Sequence, residues 1–219
     1  MYKTKAHRPC DFPANEKLTV VVLNASLKHR PAISNTEEVA ELVVKHMGSS
    51  CQIDAEIVRL ADLNVEVGLA FQESADDEWP VVAKKIRDAD VLIFATPIWW
   101  GGRSSLMQCV IERLDAFDEE AHKSGRSALY NKVAGVVITG SEDGALAVMG
   151  SIMMVLTWMG FTLPPECCAY WVGEVGFPPA GDRERRLKNP ATPVMAQNMA
   201  RNLVYYAQLL KKHPLIPKQ

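Results

Sequence analysis

Residues 91–105 read VLIFATPIWWGGRSS, and this stretch decides the fold class. From Val91 to Ala95 the run is apolar without interruption, as expected of a parallel strand that helices cover on both faces. A proline, two tryptophans and two glycines follow at once, and a helix is predicted from Ser104. A buried strand that passes through a short turn into a helix is typical of an α/β protein.

The same alternation extends along the chain in both directions. The further candidate strands are the buried runs 18–24 (LTVVVLN) and 133–139 (VAGVVIT), the alternating edge segment 51–60 and the short segment 169–172. The predicted helices are 36–47, 77–90, 104–117, 145–159 and 192–213. Five strands separated by helices predict a doubly wound, five-stranded parallel sheet in a three-layer α/β/α sandwich.

We expect one domain over residues 18–219, preceded by an N-terminal arm of residues 1–17, and a loop over the proline- and glycine-rich segment 173–193. In the helix at 77–90, Val81, Val82 and Ile86 are the predicted buried stripe. The helix at 145–159 is apolar on nearly all sides, so we expect a partner subunit to cover its outer face.

Composition excludes several classes of function. A formal net charge of -2 with 23% charged residues gives no basic excess for binding nucleic acid or anionic lipid. The longest apolar stretch, residues 152–163, is too short to span a membrane, and the N-terminus lacks a secretory signal. Five cysteines without metal-ligand spacing predict reduced thiols in the cytoplasm and no metal site.

Ligands of such sheets bind outside the carboxyl ends of the strands, so the loops after three buried strands are the candidate site. The first loop, NASLKHRPAISNT, runs from a strand into a helix N-terminus, which favours an anion such as a phosphate monoester. Ser26, Ser34, Asn35 and Thr36 can donate hydrogen bonds there. The alternative is that Ser34, Asn35 or Thr36 simply caps the helix.

The second loop, TPIWWGGRSS, suits a flat aromatic ligand. Pro97 is rigid, Trp99 and Trp100 offer aromatic surfaces, and Gly101 lets a backbone amide approach a ring heteroatom. The alternative is an apolar patch that packs on the core or on a partner.

The third loop, TGSEDGA, offers small donors to one rim of a bound ring, namely Thr139, Gly140 and Ser141. The alternative is that Ser141 or Asp143 caps the helix that begins near Ala145.

In this order the three segments resemble the NADPH-dependent FMN reductase group of flavodoxin-fold proteins. The most specific part is TPIWWGG after a buried strand, which is similar to that family's TP-x-Y/W-x-G signature. The resemblance covers residues 18–172. It implies a flavodoxin-like fold, FMN as cofactor, NADPH or NADH as co-substrate, and a homodimer or homotetramer in which the neighbouring subunit helps to cover the flavin.

The resemblance also implies which residues hold the cofactors. By this resemblance the phosphate of FMN would be bound by Ser26, Ser34, Asn35 and Thr36. One side of the isoalloxazine ring would be lined by Pro97, Ile98, Trp99, Trp100 and Gly101. The other edge of the ring, or the ribityl chain, would contact Thr139, Gly140, Ser141 and Gly144. From the residues themselves, Arg30 or Arg103 is a candidate for meeting the extra phosphate of NADPH, and the alternative for each is a simple exposed arginine.

We therefore expect a ping-pong oxidoreductase that passes electrons from reduced nicotinamide to a quinone, a free flavin or a similar small acceptor, with no catalytic acid or base. Amides near Trp100, Gly101 and Gly140 would stabilise negative charge on the reduced ring. His122 is predicted to lie in a solvated polar loop. Two alternatives stay open: a flavodoxin-like single-electron carrier, and a regulatory protein of the same fold that binds no flavin.

Overall fold

The computed structural model describes residues 17–173 and 182–215. Its strands are β1 (Leu18–Asn24), β2 (Ile53–Arg59), β3 (Val91–Trp99), β4 (Gly102–Arg103), β5 (Val133–Gly140) and β6 (Cys168–Val172). Its helices are α1 (Asn35–Gly48), α2 (Trp79–Asp88), α3 (Ser105–Arg113), α4 (Asp115–Ser124), α5 (Ala145–Trp158), α6 (Asp182–Lys188) and α7 (Ala191–Lys212). A single 3₁₀ turn, Leu60–Asp62, follows β2.

Five strands pair in parallel in the order β2-β1-β3-β5-β6, so the predicted doubly wound sheet and its three layers are confirmed. The sheet has a sixth strand that we did not predict. The two-residue β4 pairs antiparallel with the end of β3, because the chain turns back at Trp100 before it enters α3.

The two faces of the sheet carry separate apolar cores. Along β1, Val21 and Leu23 face α2, α3, α4 and α5, while Val20 and Val22 face α1 and α7. This alternation places the strand interior out of water on both sides, which explains its uninterrupted apolar sequence.

Three details of the helices differ from the sequence expectations. The predicted helix at 104–117 is two helices, because the chain bends at Leu114 before α4 begins. His122 therefore lies on α4 and not in a loop, although it remains exposed as expected. Val81 is 54% exposed, so only Val82 and Ile86 of the predicted stripe are buried.

The prediction of a loop over residues 173–193 was wrong for the second half of that segment. Residues 182–188 form α6, and α7 already begins at Ala191. Residues 174–181 lie outside the described residues, as do residues 1–16 of the expected arm.

At the amino edge of the sheet, the end of α7 lies beside the start of β1. Lys211 Nζ donates to Lys17 O at 3.3 Å and to Asp90 Oδ2 at 3.0 Å. Elsewhere in the described chain, Cys109, Cys167 and Cys168 are free thiols. None of the helices in that part of the chain is long and apolar enough to cross a membrane.

Candidate functional site

The loops after β1, β3 and β5 meet at the carboxyl edge of the sheet, as the fold requires. Ser104 joins the first two: its Oγ donates to Ala25 O at 2.7 Å, and its backbone N–H donates to Thr96 Oγ1 at 3.1 Å. Thr36 Oγ1 and Thr139 Oγ1 lie 2.7 Å apart and join α1 to the end of β5. The structure thus brings the three predicted loops together.

The first loop ends in a capped helix. Ser34 is the N-cap of α1, and its Oγ accepts the N–H of Glu37 at 3.1 Å, so the capping alternative is correct for this residue. Capping uses the oxygen and leaves the hydroxyl proton of Ser34 free to donate. Ser26, Ser34 and Thr36 are only 5%, 2% and 2% exposed, whereas residues 27–33 are all exposed.

Arg30 lies in this loop but is already paired. Its backbone N–H donates to Asp62 Oδ1 at 3.0 Å, and its Nη1 donates to Asp62 Oδ2 at 2.8 Å. The backbone N–H and then the guanidinium of Arg30 lower the pKa of Asp62. Arg30 therefore holds the loop against the 3₁₀ turn after β2, and much of its charge is neutralised there.

Arg103, the other candidate for the NADPH phosphate, has neutral partners. Its Nε donates to Gln108 Oε1 at 2.6 Å and its Nη1 donates to Ser151 Oγ at 3.1 Å. This arginine lies between α3 and α5.

Sequence reasoning missed three residues behind the first loop. Asn24 Oδ1 accepts the N–H of Ser26 at 3.1 Å, and Asn24 Nδ2 donates to Glu37 Oε2 at 2.6 Å. Arg59 Nη1 donates to Ala32 O at 2.7 Å, and Arg59 Nη2 lies 2.8 Å from Glu37 Oε2. This cluster of Asn24, Glu37 and Arg59 fastens both ends of the loop. The signal that could have revealed part of it is the S-x-x-E spacing of Ser34 and Glu37, which is typical of a capping box.

The second loop is a tight hairpin between paired residues Trp99 and Gly102. Its central residues, Trp100 and Gly101, have φ angles of 50° and 71°. Two positive φ angles are the mark of a type I′ turn, and an aromatic residue at the first position is strained by roughly 1–2 kcal/mol. Trp100 is nevertheless 94% exposed and Trp99 is 51% exposed, so packing against the described residues does not explain the pair.

The Trp100 amide is not open to a ligand, which corrects one expectation. Its N–H donates to Glu142 Oε1 at 2.7 Å, and Glu142 thereby joins the third loop to the second. Gly101 differs, because no acceptor among the described residues takes its N–H, and a Cβ added there would meet nothing within 4 Å. Of the three amides expected to face the ring, near Trp100, Gly101 and Gly140, that of Trp100 is therefore occupied and that of Gly101 is available.

The third loop packs closely on the second. A Cβ on Gly144 would lie 3.0 Å from Gly101 Cα, and a Cβ on Gly140 would lie 2.9 Å from Ile98 Cδ1. Gly144, at a φ of 120°, is itself the N-cap of α5 and provides no side-chain cap. The alternative that Ser141 or Asp143 caps α5 was therefore wrong.

A cavity of about 420 Å³ lies elsewhere, between Phe71 and α4. Its lining includes Glu120, whose carboxylate pairs with Arg87 at the end of α2. It is thus at the opposite end of the sheet and shares no residue with the three loops. Among residues 17–173 and 182–215, no group of three or more His, Cys, Asp or Glu side chains could hold a metal ion.

The strand order and the loops at the carboxyl edge define a flavodoxin-like α/β protein. The family model of NADPH-dependent FMN reductases matches residues 18–173, more than two thirds of the 219 residues, and the chain belongs to that family. It is accordingly an FMN-dependent oxidoreductase-type enzyme with NAD(P)H as co-substrate.

Individual relatives align with most of this chain. The chain is 31% identical over 206 residues to the 8-demethyl-8-aminoriboflavin-5'-phosphate synthase of Streptomyces davaonensis, covering 90% of this chain and 80% of the synthase. It is 31% identical over 212 residues to a Mycobacterium bovis protein named divalent metal cation transporter MntH, covering 91% of this chain but only 30% of that protein. The crystal structure of RosB with bound 8-demethyl-8-formylriboflavin-5'-phosphate matches with a TM-score of 0.82 and 30% identity, covering 90% of this chain and 82% of RosB.

Proposed function

We propose that the protein transfers electrons from NADPH or NADH to a quinone, a free flavin or a similar small acceptor, in a ping-pong cycle on FMN held at the three loops. The observation that carries the proposal is the pair of exposed indoles, Trp99 and Trp100, on a strained turn beside Gly101, whose N–H has no acceptor among the described residues. Backbone strain that no buried side-chain contact compensates is characteristic of a functional site.

The donor set at α1 fits a phosphate monoester. No acceptor among residues 17–173 and 182–215 takes the N–H groups of Ser34, Asn35 or Thr36, and the Ser34 hydroxyl proton is also free. Unused N–H groups at a helix N-terminus bind anions through both hydrogen bonds and the helix dipole. Because Ser26 and Ser34 are nearly inaccessible, we propose that the exposed stretch 27–33 moves outward when the phosphate enters.

FMN, when bound, supplies the hydride and electron transfer. The chain's own residues bind the phosphate at α1, orient the ring against Pro97, Ile98, Trp99 and Trp100, and donate the N–H of Gly101 to the ring. Thr139, Gly140, Ser141 and Gly144 would meet the other edge. A donor aimed at developing negative charge favours the reduced form of the ring. No acid or base of the chain is needed, and the nicotinamide and the acceptor use the exposed face in turn.

The test is an anaerobic absorbance titration of FMN-reconstituted protein with NADPH and then NADH, followed at the oxidised flavin band near about 450 nm. Rapid bleaching that a quinone reverses is the expected result. Bound flavin that neither nucleotide bleaches would point to a single-electron carrier, and protein that binds no flavin would point to a regulatory role.

A second candidate has FMN as substrate. It is favoured by the similarity to the Streptomyces davaonensis synthase, which is named for a product that is itself a modified flavin phosphate. The same site would then hold a flavin phosphate that leaves chemically altered. Mass spectrometry of the flavin recovered after aerobic incubation with NADPH and an amine donor separates the two functions, since a cofactor returns with its mass unchanged.

We also propose a second copy of this chain as partner, bound at an apolar stripe on α5. The stripe consists of Leu146, Gly150, Met154 and Trp158, one residue per turn. Leu146, Met154 and Trp158 are 74%, 61% and 86% exposed, and a Cβ on Gly150 would meet nothing within 4 Å. Because α5 contains no charged residue, the stripe suits another apolar face, and the small Gly150 allows two such helices to approach closely.

A further inference from the structure

The N-terminus of α1 carries an acid where the proposed phosphate site requires positive potential. Glu37 is the third residue of the helix, and its side chain is only 14% exposed. A carboxylate there favours the helix itself, but it repels a phosphate that approaches the same N–H groups. The site therefore needs something that offsets this charge.

Besides repelling the phosphate, the Glu37 carboxylate could occupy one of the N–H groups that the phosphate needs. In a capping box the acid at this position turns back and accepts the N–H of the N-cap residue, here Ser34. In this chain Glu37 Oε2 instead accepts from Asn24 Nδ2 at 2.6 Å and from Arg59 Nε at 2.9 Å. The N–H of Ser34 thus has no acceptor within the described residues.

We infer that Arg59 is a positioning residue that makes this site selective for flavins with a 5'-phosphate, by holding Glu37 away from the helix N-terminus and neutralising its charge. The inference rests on the proposed placement of the FMN phosphate at α1. We assign Arg59 no direct contact with the phosphate, because each of its three nitrogens already contacts Glu37 or Ala32.

The geometry requires arginine in particular. Nε and Nη2 meet one carboxylate oxygen of Glu37 while Nη1 reaches Ala32 O, and the point charge of a lysine cannot span all three contacts. Arg59 is only 5% exposed, so solvent screens the pair weakly.

The experiment measures dissociation constants of the apoprotein for FMN and for riboflavin by calorimetry. Arg59→Gln leaves Glu37 charged and without its ion-pair partner, so FMN binding should weaken by at least about tenfold, while riboflavin binding changes little. In Glu37→Gln/Arg59→Gln neither charge remains, and much of the FMN affinity should return. A merely structural role predicts that both flavins lose affinity together and that the double variant is no better than Arg59→Gln.

The control is Arg87→Gln, which breaks the exposed pair with Glu120 at the far end of the sheet and changes the net charge equally. It should leave both dissociation constants unchanged. If Arg59→Gln does not fold, Glu37→Gln alone serves, because the unmasked charge of Arg59 should then tighten FMN binding selectively. An unchanged FMN-to-riboflavin ratio in that variant would overturn the inference.

The same titration separates this inference from the proposed function. Wild-type protein that binds FMN no more tightly than riboflavin would overturn the phosphate placement and the role of Arg59 with it. Wild-type preference for FMN that persists in Arg59→Gln would overturn the role of Arg59 alone.

Discussion

At the level of single residues, Gly144 occupies a position that admits no side chain. Its φ of 120° is outside the range of other residues, and an added Cβ would lie 3.0 Å from Gly101 Cα. We expect Gly144→Ala to lower the free energy of unfolding by roughly 1–3 kcal/mol. Urea unfolding measures the effect.

Gly48→Ala is the matched control for that substitution. Gly48 is the last residue of α1, and a Cβ there would make only an ordinary contact, 3.7 Å from Ile53 Cδ1. Since alanine favours helix, this change should raise the free energy of unfolding by about 0.5–1 kcal/mol. Equal losses in the two variants would show that the contact between the second and third loops is not needed.

Asp77 is the residue on which acid stability should depend. Burial alone would raise its pKa, but N–H groups of Glu73 and Trp79, together with Arg113, hold the pKa of Asp77 below its usual value. Asp77 and Arg113 are both fully buried and pair at 2.6 Å. A carboxyl with a lowered pKa stabilises the fold above about pH 4, and this contribution is lost as the pH falls through the folded-state pKa.

We therefore expect Asp77→Asn to cost about 3–5 kcal/mol at neutral pH, because Arg113 loses its buried partner. The difference in the free energy of unfolding between wild type and this variant should stay constant down to about pH 4 and become smaller below it. Unfolding by urea across this pH range is the measurement. The exposed neighbour Asp76→Asn is the control, and a gap that widened in acid would contradict the assignment.

The sequence could predict residues of the site whose roles are local. Ser34 caps the helix that it precedes, and Trp99 and Trp100 lie beside the glycines that turn the chain. Arg59 and Glu142 could not be predicted, because each acts on a residue far away in the chain. Arg59 meets Glu37 only because β2 pairs with β1, and Glu142 meets Trp100 only because β5 lies beside β3.

At the level of elements, the buried strands were predictable because both faces of each are covered and their sequences are apolar throughout. The break at Leu114 was not, since the apolar spacing of α3 continues to Phe117 and both residues are buried. α6 was missed because the prolines and glycines around it dominate the local composition. Its Arg186 is 1% exposed and pairs with Glu38 of α1 and Asp182, a tertiary contact that no local pattern indicates.

The stripe on α5 gives a prediction about assembly. Trp158→Glu places a charge on the outer face, so we expect the protein to change from a dimer or tetramer to a monomer in light scattering after gel filtration. Val81→Glu, at an apolar position on α2 that is also exposed, should leave the assembly intact. Wild-type protein that is already monomeric would rule out this interface.

For the whole molecule, the site connects three strands of one sheet. Binding of FMN should therefore stabilise the entire fold, by about 2.7 kcal/mol when free FMN is 100-fold above its dissociation constant. Chemical unfolding of the apoprotein with increasing FMN measures this. A free energy of unfolding that did not rise with FMN would mean that the ligand binds the unfolded chain equally well or not at all.

The contact between Lys17 and Lys211 at the amino edge of the sheet determines the order in which the elements unfold under a stretching force. A force between residues 17 and 215 loads two points that begin side by side. α7 is held by side-chain packing and can peel away one turn at a time, whereas β1 is hydrogen-bonded along its length to β2 and β3. In optical tweezers α7 should therefore detach first at low force, and the sheet should rupture later at a higher force.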